Sequence, residues 1–240
     1  EEQDYSAFDY AANNGAIKTV AMDADIEGLY LNVALGQKLS ATDTLWIGLD
    51  TYNASVGESL LPNNEVVTNR AEFCVAITHD NAQLYVTKAY DMYGIGQSGF
   101  PKPGQLFRSV VTDGKGWNEV KWKNHRDLSF CAGAVFDAGD LRIREDGRPM
   151  RSDAVVFDKN NVKVKLPWGV LNFNDPSQLL VSHITDYSPR GGTNNTQTYL
   201  SDGVSASVYL GNDKAVTPRF VWPKWTEYAM PKTIEYKKSS

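Results

Sequence analysis

Six residues in this sequence carry ring faces or a carboxylate that could bind a sugar. The flat face of an aromatic ring packs against the C–H groups of a pyranose, and carboxylates and amides bind its hydroxyls. The residues that we expect to contact a ligand are Trp46, Asp50, Tyr90, Tyr93, Trp117 and Trp122. Any single tryptophan could instead be a core residue, because aromatic side chains also fill protein interiors.

The least regular part of the sequence runs from residue 90 to residue 104. It contains four glycines and two prolines, a composition that is typical of a long surface loop. Loops of this length are often functional. We therefore expect the ligand to bind between residues 90 and 125.

Catalytic residues are harder to find in the sequence. A nucleophile needs a base within reach, but His79, His125 and His183 fall in a turn, a polar segment and a strand. A glycosidase needs two carboxylates across the bond that it cleaves, and no acidic pair stands in a recognisable motif. We expect no catalytic residue, and a jelly-roll glycoside hydrolase or lyase remains an alternative.

One acidic turn could bind a metal. Asp23, Asp25 and Glu27 alternate in a short turn and could offer oxygen ligands to a structural Ca²⁺ ion. The alternative is that these oxygens accept hydrogen bonds from the turn itself. The sequence predicts no other cofactor.

Composition excludes several classes of protein. The 240 residues are 42% hydrophobic and 22% charged, as in an ordinary globular protein, and the net charge is -5. Because the chain has no net positive charge to attract phosphate groups, nucleic-acid binding is not expected. No apolar run approaches the roughly 18 to 20 residues of a spanning helix, so membrane insertion is not expected.

Cys74 and Cys131 lie in apolar runs and are expected to be buried free thiols, with a disulfide as the alternative.

The elements that must position these residues are short strands. Leu45, Ile47 and Leu49 alternate with Trp46, Gly48 and Asp50, the pattern of a half-buried strand, and similar runs recur about every ten residues. Helical crossovers, which a parallel sheet requires, are missing. The sequence therefore predicts an all-β protein, an antiparallel β-sandwich of the jelly-roll kind. We expect residues 1–17 to be a leader or loose first turn, residues 18–215 the sandwich, and residues 216–240 a tail rich in proline and aromatic residues.

The strongest structural signal lies between residues 161 and 182. Val162, Val164 and Leu166 alternate with lysines, and Pro167 then ends the strand. Trp168, directly after this proline, is expected to be a core residue at a corner of the fold.

Several segments together resemble the β-sandwich domains grouped with family 9 carbohydrate-binding modules and DOMON-like domains. They read TVAMDAD, GLYLNVAL, LWIGLDT, AEFCVAI, KVKLPWGVLNFNDPS and FVWPKW, and they span nearly the whole chain. The resemblance is to modules of large secreted or surface-attached bacterial proteins. It implies an extracellular or cell-surface module that binds a polysaccharide or packs against neighbouring domains of the same polypeptide.

From these observations we expect a carbohydrate-binding accessory module without catalytic activity of its own. The main alternative is a structural domain that docks onto a neighbour without binding a ligand.

Overall fold

The computed structural model describes residues 6–9, 15–91, 116–123, 135–145, 148–184 and 196–225. In chain order the strands are β1 (Ser6–Asp9), β2 (Ile17–Ala24), β3 (Gly28–Leu35), β4 (Leu45–Asp50), β5 (Glu58–Leu60), β6 (Val66–Ala71), β7 (Phe73–Ile77), β8 (Ala82–Thr87), β9 (Trp117–Glu119), β10 (Trp122–Lys123), β11 (Val135–Phe136), β12 (Val155–Asp158), β13 (Asn161–Pro167), β14 (Phe173–Asp175), β15 (Leu180–Ile184), β16 (Thr196–Leu200), β17 (Ser205–Leu210) and β18 (Asp213–Val216). Two short 3-10 helices, Trp168–Leu171 and Pro176–Gln178, lie between β13 and β15.

Two large antiparallel sheets form a β-sandwich. One has five strands in the order β1-β2-β3-β13-β12, and the other has six in the order β18-β17-β4-β7-β8-β9. The remaining strands form a three-stranded sheet, β14-β15-β16, and two hairpin-like pairs, β5-β6 and β10-β11. The prediction of an all-β, antiparallel fold is confirmed, whereas the jelly-roll connectivity stays a prediction.

The core lies between the two large sheets. Each sheet contributes alternate residues to it, such as Leu31 and Val164 from the five-stranded sheet and Ile47 and Val75 from the six-stranded sheet. These side chains are almost completely buried. The period-2 pattern of the sequence therefore becomes one apolar layer, because successive side chains of a strand point to opposite faces.

The corner after β13 is placed as its sequence predicts. Pro167 ends the strand opposite Gly28, and Trp168 is 5% exposed. The Trp168 indole nitrogen donates a hydrogen bond to the Asp25 carbonyl oxygen at 2.7 Å, which ties this corner to the turn between β2 and β3. Gly28 is required here, because a Cβ at this position would lie 2.4 Å from the Leu166 carbonyl oxygen.

Both predicted end segments contribute to the sandwich. Residues 6–9, within the expected leader, form an edge strand that pairs with β2. This edge strand is too short for its pattern to stand out in the sequence. In the expected tail, Phe220 pairs with Val204, and the buried Trp222 donates from its indole nitrogen to the Pro176 carbonyl oxygen at 2.8 Å. The sandwich therefore includes residues on both sides of the predicted limits.

Two further predictions concern cysteine and membranes. Cys74 is a buried free thiol, and burial raises its pKa above the usual range. Cys131 lies outside the described residues. No helix in the described ranges is both long enough and apolar enough to cross a membrane.

Candidate functional site

Two exposed aromatic residues face solvent side by side on a short pair of strands. Trp122 of β10 stands directly opposite Phe136 of β11, so both side chains lie on the same face. Trp122 is 46% exposed and Phe136 is 58% exposed. Side chains in this relationship start from Cβ atoms about 4.5–5.5 Å apart, so the two rings emerge next to each other from one face of the strand pair. We call these two residues the ring platform.

The ring platform rests on the corner after β13. Gly169 belongs to the 3-10 helix Trp168–Leu171, and a Cβ built on it would lie 3.6 Å from Cζ2 of Trp122. Beneath the ring is a crevice of only about 10 Å³, lined in part by Phe73, Tyr90 and Asn172. A space of this size holds at most one water molecule. A ligand must therefore meet Trp122 from its exposed side.

Charged groups flank the ring platform. The Lys121 ammonium lies 3.3 Å from a carboxylate oxygen of Glu119 and 3.4 Å from one of Asp137. Hydrogen bonds and charge from these two carboxylates raise the pKa of Lys121. Lys121 and Asp137 are the chain neighbours of Trp122 and Phe136, so this charged group adjoins the ring platform along the chain.

Trp46 and Trp117, also predicted to bind a ligand, lie on the outer face of the six-stranded sheet. Both are half-buried and, with Tyr85, pack against a small group that we call the hairpin cluster. The hairpin cluster consists of Leu61, Val67, Ala71, Cys74 and Tyr209. The Trp117 indole nitrogen donates to the Leu60 carbonyl oxygen at 2.9 Å, so this ring fastens the β5-β6 hairpin to β9. Trp46 and Trp117 thus border the same cluster from different strands, β4 and β9, and Trp122 is not part of it.

Two predicted ligand contacts are buried, and a third lies outside the described residues. Tyr90 is 2% exposed, because its ring packs against Phe73 and its hydroxyl donates to the Ser182 carbonyl oxygen at 3.0 Å. Asp50 is also 2% exposed and is paired with Arg219. The prediction that Tyr90 and Asp50 contact a ligand is therefore corrected. Tyr93 lies outside the described residues.

The acidic turn before β3 uses its oxygens for its own backbone. One carboxylate oxygen of Asp25 accepts from the Glu27 and Gly28 amides at 2.7 and 3.1 Å, and the other accepts from the Tyr30 hydroxyl at 2.9 Å. Asp23 accepts from the Ala24 amide at 2.8 Å. Among the described residues, no group of three or more His, Cys, Asp or Glu side chains could hold a metal ion. Hydrogen bonds within the turn occupy these oxygens, and Ca²⁺ binding at Asp23 and Asp25 stays a prediction.

Two acids with unusual environments lie at the end of the six-stranded sheet, away from the ring platform. Burial is the main cause that raises the pKa of Asp50 to about 6 and the pKa of Glu72 well above its ordinary value. Such shifts are typical of catalytic acids. Glu72 is 0% exposed and Asp50 only 2%, however, so a sugar cannot reach either carboxyl group.

Sequence reasoning missed Phe136, Tyr85 and Gly169. Phe136 lies in a two-residue strand, which is too short for an alternating pattern. That Phe136 lies next to Trp122 follows only from the pairing of β10 with β11. Tyr85 does follow the alternation of β8, where Leu84 and Val86 are in the core, so its outward position could have been found.

Comparison with known proteins adds no relative from which a function could be transferred. No family model, no curated protein and no solved structure matches this chain.

Proposed function

We propose that this chain is a carbohydrate-binding module in which a sugar ring stacks on Trp122 and Phe136. The observation that carries the proposal is the pair of directly opposed aromatic side chains, 46% and 58% exposed. Contiguous exposed apolar surface often marks a ligand-binding site. A sugar fits because its C–H face is apolar and packs against aromatic rings.

The same geometry favours weak binding to a repeating ligand. Two rings and a few exposed polar groups offer little buried area, so we expect a Kd on the order of 1 mM for a short oligosaccharide, or about 4 kcal/mol. A polysaccharide offers many equivalent sites, and a larger parent protein gains avidity when it carries other binding domains. An accessory role in an extracellular or cell-surface polypeptide follows from this reasoning and from the family resemblance.

The experiment compares binding to soluble polysaccharides for the unmodified protein and three variants, by affinity electrophoresis and titration calorimetry. We expect Trp122→Ala and Phe136→Ala each to weaken binding at least 10-fold. The matched control is Ile26→Ala, which removes an equally exposed apolar side chain, 54% exposed, in the turn before β3. Its affinity should not change. Saturable binding that survives both ring substitutions, or no binding to a broad set of glycans, would refute the proposal.

A docking domain is the second candidate, and the tip of the β5-β6 hairpin favours it. Leu60 and Val66 face each other across this hairpin and are 43% and 64% exposed. A neighbouring domain of the same polypeptide could cover this apolar pair. Hydrogen exchange distinguishes the two functions: docking predicts that the hairpin amides exchange more slowly in the parent protein than in the isolated module. An assay for cleavage of any glycan that binds tests the enzymatic alternative.

A further inference from the structure

Asp50 and Glu72 occupy neighbouring buried positions where β4 and β7 end. The antiparallel pairing of these strands sets Leu49 opposite Phe73, and one residue further it brings Asp50 and Glu72 together. The Glu72 amide donates to the Leu49 carbonyl oxygen at 3.0 Å, which continues the ladder to this point. Opposed side chains of this kind have Cβ atoms about 5 Å apart, close enough for the two carboxyl groups to interact.

Each carboxyl group has one oxygen with partners and one without. Glu72 Oε2 accepts hydrogen bonds from the Thr51 amide, the Thr51 hydroxyl and the Tyr52 amide at 2.7, 3.2 and 3.0 Å. Asp50 Oδ2 lies 2.7 Å from a guanidinium nitrogen of Arg219. Asp50 Oδ1 and Glu72 Oε1 are both buried and have no hydrogen-bond partner among the residues that the structure describes. A buried carboxylate oxygen without a partner is costly, so both atoms require an explanation.

Charge does not balance if both groups are ionised. Within the described part of the chain, Arg219 is the only cation that the structure places against either carboxyl group. The same guanidinium nitrogen is shared with Asp202, 3.2 Å away at the surface. Two buried anions would therefore face one shared cation.

Among the described residues, the other titratable groups near this pair bond neither unpartnered oxygen. Tyr52 and Tyr90 lie on the core side, and the charge of Glu72 contributes to raising the pKa of both. From the β5-β6 hairpin, Glu58 accepts from the Gly116 amide at 3.0 Å, and Arg70 donates to the Gly57 carbonyl oxygen at 3.5 Å.

The hairpin also excludes solvent from Glu72. Gly57 has a φ of +100°, and a Cβ built on it would lie 2.8 Å from Glu72 Oε1 and 2.6 Å from the Ala71 carbonyl oxygen. The backbone entering β5 thus passes directly over the unpartnered oxygen, so hydration cannot stabilise a charge on it.

A metal ion is a poor explanation for the two unpartnered oxygens. Ca²⁺ takes six to eight oxygen ligands, and Asp50 and Glu72 offer two free oxygens. A proton needs one donor and one acceptor, which is what two opposed carboxyl oxygens provide when one of them is protonated.

We infer that Asp50 and Glu72 share one proton in the folded protein at neutral pH, in a hydrogen bond that joins Asp50 Oδ1 and Glu72 Oε1. Protonation leaves one buried negative charge, which Arg219 balances. The elements that cover the pair are the β5-β6 hairpin and residues 217–225, which we call the C-terminal segment. The stability of the fold at this end of the sheet therefore depends on pH.

The direction of this dependence follows from the shifts of the two acids. Burial raises the pKa of Asp50 to about 6 and that of Glu72 well above its usual range. A raised pKa in the folded state means that folding retains a proton which the unfolded chain releases. The stabilising contribution is complete at pH values below the ordinary carboxyl pKa, and it is lost as the pH rises through and beyond about 6.

The test measures the proton directly and then its effect on unfolding. Infrared difference spectra between the unmodified protein and Glu72→Gln should show a carboxylic-acid carbonyl band at about pH 7 that the variant lacks. Glutamine is a suitable replacement because its amide group can donate to Asp50 Oδ1 while its oxygen accepts the bonds of Glu72 Oε2. Relative to Glu72→Gln, the melting temperature of the unmodified protein should fall from about pH 5 to about pH 9, with the release of about one proton per molecule on unfolding. In Glu72→Gln that slope should be lost.

The control is Asp91→Asn, which changes another buried acid, 5% exposed and bonded to Asn118 at 2.7 Å. This variant should keep the slope of the unmodified protein. The inference is overturned if no protonated carboxyl group is detected at neutral pH. It is also overturned if Glu72→Gln lowers the melting temperature equally at acid and alkaline pH.

Discussion

Arg219 holds Asp50 at two points, although 169 residues separate them. One guanidinium nitrogen lies 2.7 Å from the Asp50 carboxylate, and the other donates to the Asp50 carbonyl oxygen at 3.0 Å. A second carbonyl oxygen, that of Gly203, accepts from Arg219 at 3.2 Å. This fork fastens the C-terminal segment to the end of β4, because a planar guanidinium can bond several oxygens at once.

Replacement of Arg219 should therefore destabilise the fold. Arg219→Ala leaves the Asp50 charge buried without a partner, which we expect to lower the free energy of unfolding by about 3 kcal/mol. Arg219→Lys should recover part of this, because lysine retains the charge but not the fork. Urea unfolding measures both. Arg151→Ala is the control, since its ion pair with Glu27 is solvent-exposed and should contribute less than about 1 kcal/mol. Equal effects of Arg219→Ala and Arg151→Ala would contradict this interpretation.

Trp222 provides the second attachment of the C-terminal segment. Its ring is 3% exposed and lies 4.8 Å from the ring of Trp168 and 5.6 Å from that of Phe173. We expect Trp222→Ala to lower the free energy of unfolding by about 3–5 kcal/mol, as for other large aromatic residues removed from a core. Trp222→Phe should lose about 1 kcal/mol, because the bond to Pro176 is lost while much of the packing remains. Chemical denaturation followed by tryptophan fluorescence provides the measurement. If Trp222→Ala lowers the free energy of unfolding by less than Trp222→Phe does, the C-terminal segment is not docked at this place.

The sequence predicts the corner after β13 well because its signals are local. Alternation in β13, Pro167 and Trp168 all act within a few residues, and the structure confirms the buried tryptophan. The composition around Tyr90 predicts a loop residue, but the direction of its side chain depends on packing against Phe73, which local composition does not reveal. The ring platform depends in the same way on pairing between two-residue strands, and so on long-range register that local patterns do not determine.

Substitution of two glycines with positive φ distinguishes the cost of backbone strain from the cost of a steric clash. Gly203 has a φ of +107°, and a Cβ on it would lie 2.3 Å from the Phe220 carbonyl oxygen. Gly211 has a φ of +58° and no heavy atom within 4 Å of such a Cβ. We expect Gly211→Ala to cost about 1 kcal/mol, from strain alone. Gly203→Ala should cost clearly more, because the Val204–Phe220 pairing must also shift. Thermal unfolding of both variants tests the comparison, and similar losses would contradict it.

His183 should make the fold less stable as the pH falls, which is opposite to the effect of the Asp50 and Glu72 pair. Desolvation lowers the pKa of His183 below its ordinary value, and Nδ1 lies 3.0 Å from the Tyr52 hydroxyl. Because the folded state disfavours the protonated ring, its stabilising contribution is present above about pH 6.5 and is lost as the pH falls below that value. We expect His183→Gln to reduce the loss of melting temperature on acidification. NMR titration of the His183 ring should show a pKa below about 6.5, the ordinary histidine value. A His183 pKa at or above that value would refute this expectation.

Trp117 and Trp122 should separate stability from binding. The Trp117 ring packs against the hairpin cluster and donates to the Leu60 carbonyl oxygen, so Trp117→Ala removes both packing and a hydrogen bond. We expect a loss of about 2–3 kcal/mol in the free energy of unfolding, because the ring is half-buried and not fully enclosed. Trp122 is 46% exposed, and Trp122→Ala should cost no more than about 1 kcal/mol. Unfolding and glycan binding should respond differently to the two substitutions. Trp117→Ala should lower the melting temperature and leave the affinity of the remaining folded protein unchanged. Trp122→Ala should leave the melting temperature unchanged and weaken binding. If Trp117→Ala weakens binding without loss of stability, the ligand contacts the outer face of the six-stranded sheet instead of the ring platform.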